Sequence, residues 1–181
     1  MSFSMYALSV PVFLRGLEIA EEYCNAAAAF ATTLDVDPFT LVNAQLAPDL
    51  PPFGGQIQRI SDGSKGPVAR LAGISPPRFE DVEQTLPELK VRIARTGLFV
   101  RSIKPEQLRD SEGRTIEHRF PSGAAKTLRG GEYLTLVALP EFYYGLATAH
   151  DILRCAGVPL GKRDFLFLPK DVRVAVDSPN Y

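Results

Sequence analysis

Four stretches of this chain repeat apolar residues at the three- and four-residue spacing of an α-helix, and prolines, glycines or capping side chains punctuate them. The first runs from Pro11 to about Thr33, with Val12, Leu14, Leu17, Ile19 and Tyr23 inside and Glu18, Glu21 and Glu22 outside. Asp37-Pro38 then sets a capping acid before a proline and predicts a short helix through Leu46. After Pro48, Pro51 and Pro52 comes a long helix over Phe53 to Ala72. Thr85 caps a third, which ends near Ile103 and carries Leu86, Leu89, Ile93 and Val100 inside and Glu88, Lys90, Arg92 and Arg95 outside. The fourth spans about Gly131 to Ala156, is kinked at Pro140 and stops at Gly157-Val158-Pro159. Between the third and fourth, Thr115 to Phe120 alternates, Pro121-Ser122-Gly123 turns and Ala125 to Leu128 returns, which predicts a small β-hairpin. Apolar stripes of this kind must bury one another, so the expected fold is all-α: one four-helix bundle domain with a hairpin before its last helix. Phe165 to Tyr181, with Pro169 and Pro179, is expected to trail as an extended tail.

Composition narrows the function classes. Of 181 residues, 45% are apolar and 23% charged, and 20 Lys+Arg balance 21 Asp+Glu. A net charge of -1 without basic blocks argues against a nucleic-acid or membrane-surface partner. No apolar run reaches the ~18 residues of a membrane span, and the opening residues lack the basic stretch of a secretory signal, so a cytoplasmic protein is expected. Cys24 and Cys155 form no metal-ligand or redox spacing and are expected to pack as small hydrophobes.

Several segments stand together in an order that identifies a family: Leu8 to Leu17 (LSVPVFLRGL), Asn43 to Leu50 (NAQLAPDL), Gln56-Ile57-Gln58-Arg59, Phe79-Glu80-Asp81, Arg92 to Thr96, Leu139 to Tyr144 (LPEFYY) and Gly157 to Phe165. From Ser2 to Leu166 the chain resembles the domain-of-unknown-function-1993 family, a branch of the DinB/YfiT-like bundle superfamily. The resemblance implies a DinB/YfiT-like four-helix bundle over residues 1–166 with one crossover, often paired as a homodimer, and a C-terminal extension over 167–181. Metal-dependent hydrolases and thiol transferases of that superfamily use three histidines, one on the second helix and an HxxxH pair on the last. The corresponding positions here carry Gln56 or Gln58, and Glu141 with Gly145, so the resemblance implies no resident metal and no cofactor. The closer branch commonly keeps a histidine where Gly145 stands and a tyrosine where His150 stands. His150 lies about 140° around the helix from Gly145, so it does not replace that ligand. A site built on His118 or His150 would need Glu141 or another carboxylate beside it.

The remaining candidates each carry two readings. His150 is a buried histidine bonded to a backbone carbonyl or a neighbour, or else a general acid or base in a bundle pocket, a role that suits imidazole. Asp151 is expected to point elsewhere, because adjacent helical residues do not share a face. Gln56, Arg59 and Asp62 form one polar stripe and Gln58, Asp62 and Lys65 a neighbouring one, and one of these stripes must face inward or a neighbouring element. Turned inward, Gln56 and Arg59 would bind a carbonyl or carboxylate. Tyr143 and Tyr144 are expected to divide between inside and outside, with Tyr144 offering a phenol to the pocket. Glu141 is a surface acid or a pocket residue. Gly54, Gly55 and Gly145 either permit close helix packing or enlarge a pocket. Two functions follow. One is an enzyme without metal that binds a mainly apolar small molecule and isomerises, cyclises (pericyclic reactions included) or eliminates it, as in secondary metabolism, through His150, Tyr144, Gln56 and Arg59 with Gly54, Gly55, Gln58, Glu141 and Gly145 against the substrate. The other is a non-catalytic binding or dimeric scaffold protein.

Overall fold

In the computed structural model, which describes residues 4–119 and 123–166, the first helix begins earlier than the apolar pattern predicts. Helix α1 runs Met5–Leu34, because the Ser4 hydroxyl accepts the Ala7 N–H and starts the helix six residues before Pro11. Pro11 sits on the exposed side, where its missing N–H leaves a carbonyl to water. Helix α2, Pro38–Val42, is shorter than expected. Asp37 caps it by accepting the Phe39 N–H at 2.9 Å, and the Asn43 side chain closes its end on the Phe39 carbonyl. Helix α3 spans Phe53–Ala72 as the pattern predicts and ends on Gly73, whose φ of 71° suits a residue without Cβ. Helix α4, Leu86–Ser102, opens with a capping box between Thr85 and Glu88. Strands β1, Thr115–Arg119, and β2, Ala125–Arg129, pair antiparallel with His118 opposite Lys126. The remaining helices are α5, Gly130–Tyr133, α6, Leu139–Cys155, and α7, Lys162–Leu166.

Four long helices make the bundle. α1 and α3 each pack against both α4 and α6 and against each other across the diagonal, which leaves α4 and α6 at opposite corners. The connection from α4 to α6 therefore crosses the bundle, and residues 103–119 and 123–129, which include the two strands, lie in that crossing. The core runs through Phe13, Tyr23, Phe53, Ile57, Phe142 and Leu146, all buried, each such side chain contributing about 1.5–3 kcal/mol. Phe13 meets Phe142 edge to face at 4.9 Å between ring centres. Gly16 allows this crossing, since a Cβ there would overlap the Phe142 ring.

Pro140 changes the last helix differently from the expected kink. Residues Leu134–Ala138 form a π-turn in which the Leu139 N–H bonds to the Leu134 carbonyl, five residues back. A proline supplies no N–H to the carbonyl four residues earlier and collides with it, and a widened turn immediately before the ring relieves both problems. Arg92 is the other departure. Expected on the outside of α4, it is buried at 1% exposure, with its guanidinium held by Asp62, Asp81, Glu83 and the Glu80 carbonyl. It clamps the loop between α3 and α4 onto the bundle, while Phe79 stacks beneath Lys65, Arg92 and Arg95.

Two smaller expectations also change. Phe165 and Leu166 lie in α7 rather than in an extended tail, and residues 167–181 fall outside the described residues. Cys24 is buried as expected, its thiol pushed up to about 12 by burial, whereas Cys155 is exposed at the end of α6. Among the described residues, no helix is long and apolar enough to cross a membrane.

Candidate functional site

The two polar stripes of α3 have different destinations. Gln58, Asp62 and Lys65 face the loop clamped by Arg92: Gln58 Nε2 donates to Glu83 at 3.0 Å and Lys65 bonds Asp62. Gln56, Arg59, Gly63, Pro67 and Arg70 recur every three or four residues and so share the opposite edge of the helix. That edge forms one wall of a cavity of about 700 Å³, whose other walls are β1 and the α5–α6 segment. The volume suits a small organic ligand.

Each wall delivers its groups for a local reason. β1 alternates exposed and buried residues, so His118 lies two residues past Ile116 on the inward face and enters the cavity at 8% exposure. Tyr133 and Glu141 are eight residues apart, about 80° around a regular α-helix. The extra residue absorbed by the π-turn returns them to within about 20° of one face, and both line the cavity. His118 Nε2 then stands 3.9 Å from Glu141 Oε1, and its ring lies against that of Tyr133, 5.5 Å between centres. Arg70 Nη1 donates to the Tyr133 phenol oxygen at 3.0 Å and its guanidinium overhangs the same ring. Burial raises the Tyr133 phenol above the ordinary tyrosine range, with Arg70 opposing that shift, so the phenol keeps its proton at neutral pH. Because the arginine occupies an acceptor position on the oxygen, the phenol O–H remains a donor.

The candidates drawn from the sequence are only partly brought together. Gln56, Arg59, Glu141, Tyr144 and Gly145 line this cavity, as does Asp62. The Gln56 amide is itself tied to the Pro51 carbonyl at 3.2 Å. Tyr143 and Tyr144 do not divide between inside and outside: both are exposed, Tyr144 over the cavity and Tyr143 against the Phe142 ring. Gly145 touches the cavity but also lets α6 approach α3, since a Cβ there would meet Ile60 at 3.2 Å. Gly54 and Gly55 face Val42 and Pro51 at the start of α3 and serve close packing. Gln58 belongs to the Arg92 clamp.

His150 lies elsewhere. Its Nε2 bonds the Gly161 carbonyl and its Nδ1 bonds Asp151, each at 3.1 Å, and its ring sits between Tyr23 and Phe165. Asp151 thus folds back onto its helical neighbour instead of pointing away, because the short carboxylate reaches the ring edge without sharing its face. With Nε2 docking the segment that follows α6 and Nδ1 held by Asp151 of α6 itself, His150 fits the structural reading. His118, Tyr133 and Arg70 are the cavity groups that the sequence reading did not select. The signal for His118 was the alternation Thr115 to Arg119, which places it on the side of Ile116.

A match to the family described as Domain of unknown function (DUF1993) covers residues 5–166. This chain belongs to that family. A solved DinB family member protein from Shewanella denitrificans is 33% identical to the DUF1993 chain, covers 92% of it and 93% of its own length, and superposes with a TM-score of 0.84. No curated protein matches. The DUF1993 fold is thus DinB-like, but the donors here do not fit the three-histidine metal site implied by the wider superfamily. Gly145 offers no ligand atom, Gln56 is bonded to backbone, and His118 with Glu141 supplies two donors where such a site requires three or four. Among the described residues no group of three or more His, Cys, Asp and Glu side chains is arranged to hold a metal.

Proposed function

We propose that this protein binds a small, mainly apolar organic molecule in the α3–α6–β1 cavity and catalyses a proton-transfer rearrangement of it, an isomerisation, cyclisation or elimination. The observation that carries this reading is the convergence of His118, Glu141, Tyr133 and Arg70 from four separate elements, β1, α6, α5 and α3, on one cavity of about 700 Å³. His118 moves the proton, in the place first given to His150. The Glu141 carboxylate, facing its Nε2, stabilises the imidazolium that proton uptake forms. The Tyr133 hydroxyl, oriented by Arg70, donates to oxygen charge developing on the substrate. Gly63, Pro67, Pro140 and Gly145 leave room for an apolar body, and Gln56, Arg59 and Tyr144 fix its orientation.

Native mass spectrometry of the full untagged chain, purified from its own source, tests the binding half. The expected spectrum carries an organic mass that Gly63→Phe abolishes, since Gly63 lines the cavity and a Cβ there touches only Phe142, at 3.9 Å, so the added ring has room to fill it. A stoichiometric metal, or a retained mass indifferent to Gly63→Phe, would refute the reading. The same spectrum counts subunits, with a homodimer expected. For the catalytic half, His118→Ala is expected to slow turnover of the retained molecule by roughly 100-fold or more, the scale of general acid–base catalysis, while His150→Ala preserves it in the folded fraction. Binding without turnover by the wild-type chain would establish the non-catalytic alternative.

A further inference from the structure

Among the described residues, the two arginines of the cavity wall have no carboxylate partner. Four charged side chains line the cavity, from Arg59, Arg70, Asp62 and Glu141, and both acids face groups other than these arginines: Asp62 bonds Lys65 and Arg92, and Glu141 stands 3.9 Å from His118 Nε2. Among the described residues no carboxylate lies within ion-pair distance of either Arg59 or Arg70. The Arg70 partner is a neutral phenol, and burial of Tyr133 works against its ionisation, so this phenol does not neutralise the guanidinium.

Arg70 is also held in place before any ligand arrives. Its head folds back along α3 over Gly66, where a Cβ would lie 2.9 Å from Nη1, and it overhangs the Tyr133 ring at 5.9 Å. Arg70 is exposed, but a guanidinium restrained by a hydrogen bond, a ring and a glycine seat loses less freedom on binding than an unrestrained one, and its remaining N–H groups form a planar fork that matches an oxyanion. Arg59, three turns earlier on the same edge, adds a second positively charged side chain whose backbone lies about 16 Å back along the helix axis. Between the two lie Gly63 and Pro67, which present no polar side chain to the cavity.

We infer that the substrate of this site is an amphipathic organic acid, with its oxyanion on the Arg70 fork beside the Tyr133 hydroxyl and its apolar body along Gly63, Pro67 and Pro140. This inference rests on the cavity reading above and sharpens it by naming the charge of the ligand. It also orients the substrate: the acid group marks the Arg70 end, and the apolar body extends toward Tyr144 and Gly145.

A pair of fluorescent probes separates the two claims: anilinonaphthalene sulfonate, an aromatic anion, and phenylnaphthylamine, its uncharged parent. Both are titrated into the full wild-type chain and into Arg70→Gln, Gly66→Ala and Gly63→Phe. Both are expected to bind wild type and to be lost in Gly63→Phe. Arg70→Gln is expected to weaken the anion by about tenfold or more and leave the neutral probe unchanged, which also certifies folding. Gly66→Ala keeps the charge but displaces the fork and is expected to weaken the anion alone. Equal effects of Arg70→Gln on both probes, or none on the anion, overturn the organic-acid inference and leave the cavity reading intact. Failure of both probes to bind wild type, or binding that survives Gly63→Phe, overturns the cavity reading and this inference with it.

Discussion

Replacing Arg92 with Met tests the clamp that holds the loop between α3 and α4. The methionine keeps most of the apolar stem in place and removes the guanidinium from three carboxylates and the Glu80 carbonyl. These partners lose unequal amounts. The Asp62 and Asp81 side chains are 51% and 59% exposed, so water replaces the arginine and their joint loss is about 1 kcal/mol at most. The Glu83 side chain is only 12% exposed and faces Nη1 with both oxygens, at 3.1 and 3.2 Å. Stranding that charge costs about 3 kcal/mol, the lower end for a broken buried pair, because Gln58 still donates to it. The sum is about 3–4 kcal/mol, or a fall in Tm of about 6–16 °C for a chain of this size. Urea and thermal unfolding of the full chain at fixed concentration measure it. Adding Glu83→Gln to Arg92→Met should recover about 1–3 kcal/mol, since a neutral amide replaces the stranded charge. A loss below about 1 kcal/mol, or strict additivity of the two substitutions, would refute the assignment of the cost to Glu83.

Two further outcomes follow from protonation and exposure. Thiol labelling with an aromatic disulfide should show one fast site, the exposed Cys155, and one that reacts only on unfolding, since Cys24 is buried and its thiol is pushed up to about 12; two equal rates would contradict the packing of α1. Glu88 accepts the backbone N–H groups of Gln84 and Thr85, which hold its carboxyl below the ordinary glutamate range. A carboxyl depressed in the folded state stabilises above its unfolded value and loses that contribution as pH falls through the folded one. Glu88→Gln should therefore flatten the acid side of the stability–pH curve and leave its neutral side parallel to wild type; an unchanged acid limb would refute this account.

The parts of the cavity differ in how legible they were. Gln56 and Arg59 were readable because a helix with polar residues on two stripes has to turn one of them toward something other than solvent. Glu141 and Gly145 were readable through the family resemblance, which aligned them with a ligand pair. His118 was present in the pattern but not selected, since strand alternation says that a residue faces inward without saying against which helix. Tyr133 and Arg70 carried no local signal. Their pairing spans 63 residues, and the π-turn that rotates Tyr133 onto the face of Glu141 depends on how the chain accommodates Pro140 under load from its neighbours. His150 misled for the converse reason. It is a core-helix histidine by sequence, and only the return of residues 157–166 supplies the Gly161 carbonyl that makes it structural.

Local chemistry in the sequence therefore determined the number and order of the long helices, their main caps, the hairpin and the family. Helix periodicity, Asp37-Pro38, the Thr85–Glu88 box and Gly157 act within a few residues of chain. Tertiary structure alone decided which polar groups meet. It buried Arg92 among carboxylates from two segments, fastened His150 to a backbone carbonyl, and set His118, Tyr133, Arg70 and Glu141 around one cavity. Such meetings depend on where distant segments cross, and a crossing is set by the shape of the whole packed core, including glycine at position 16 and the widened turn before Pro140, rather than by any window of sequence.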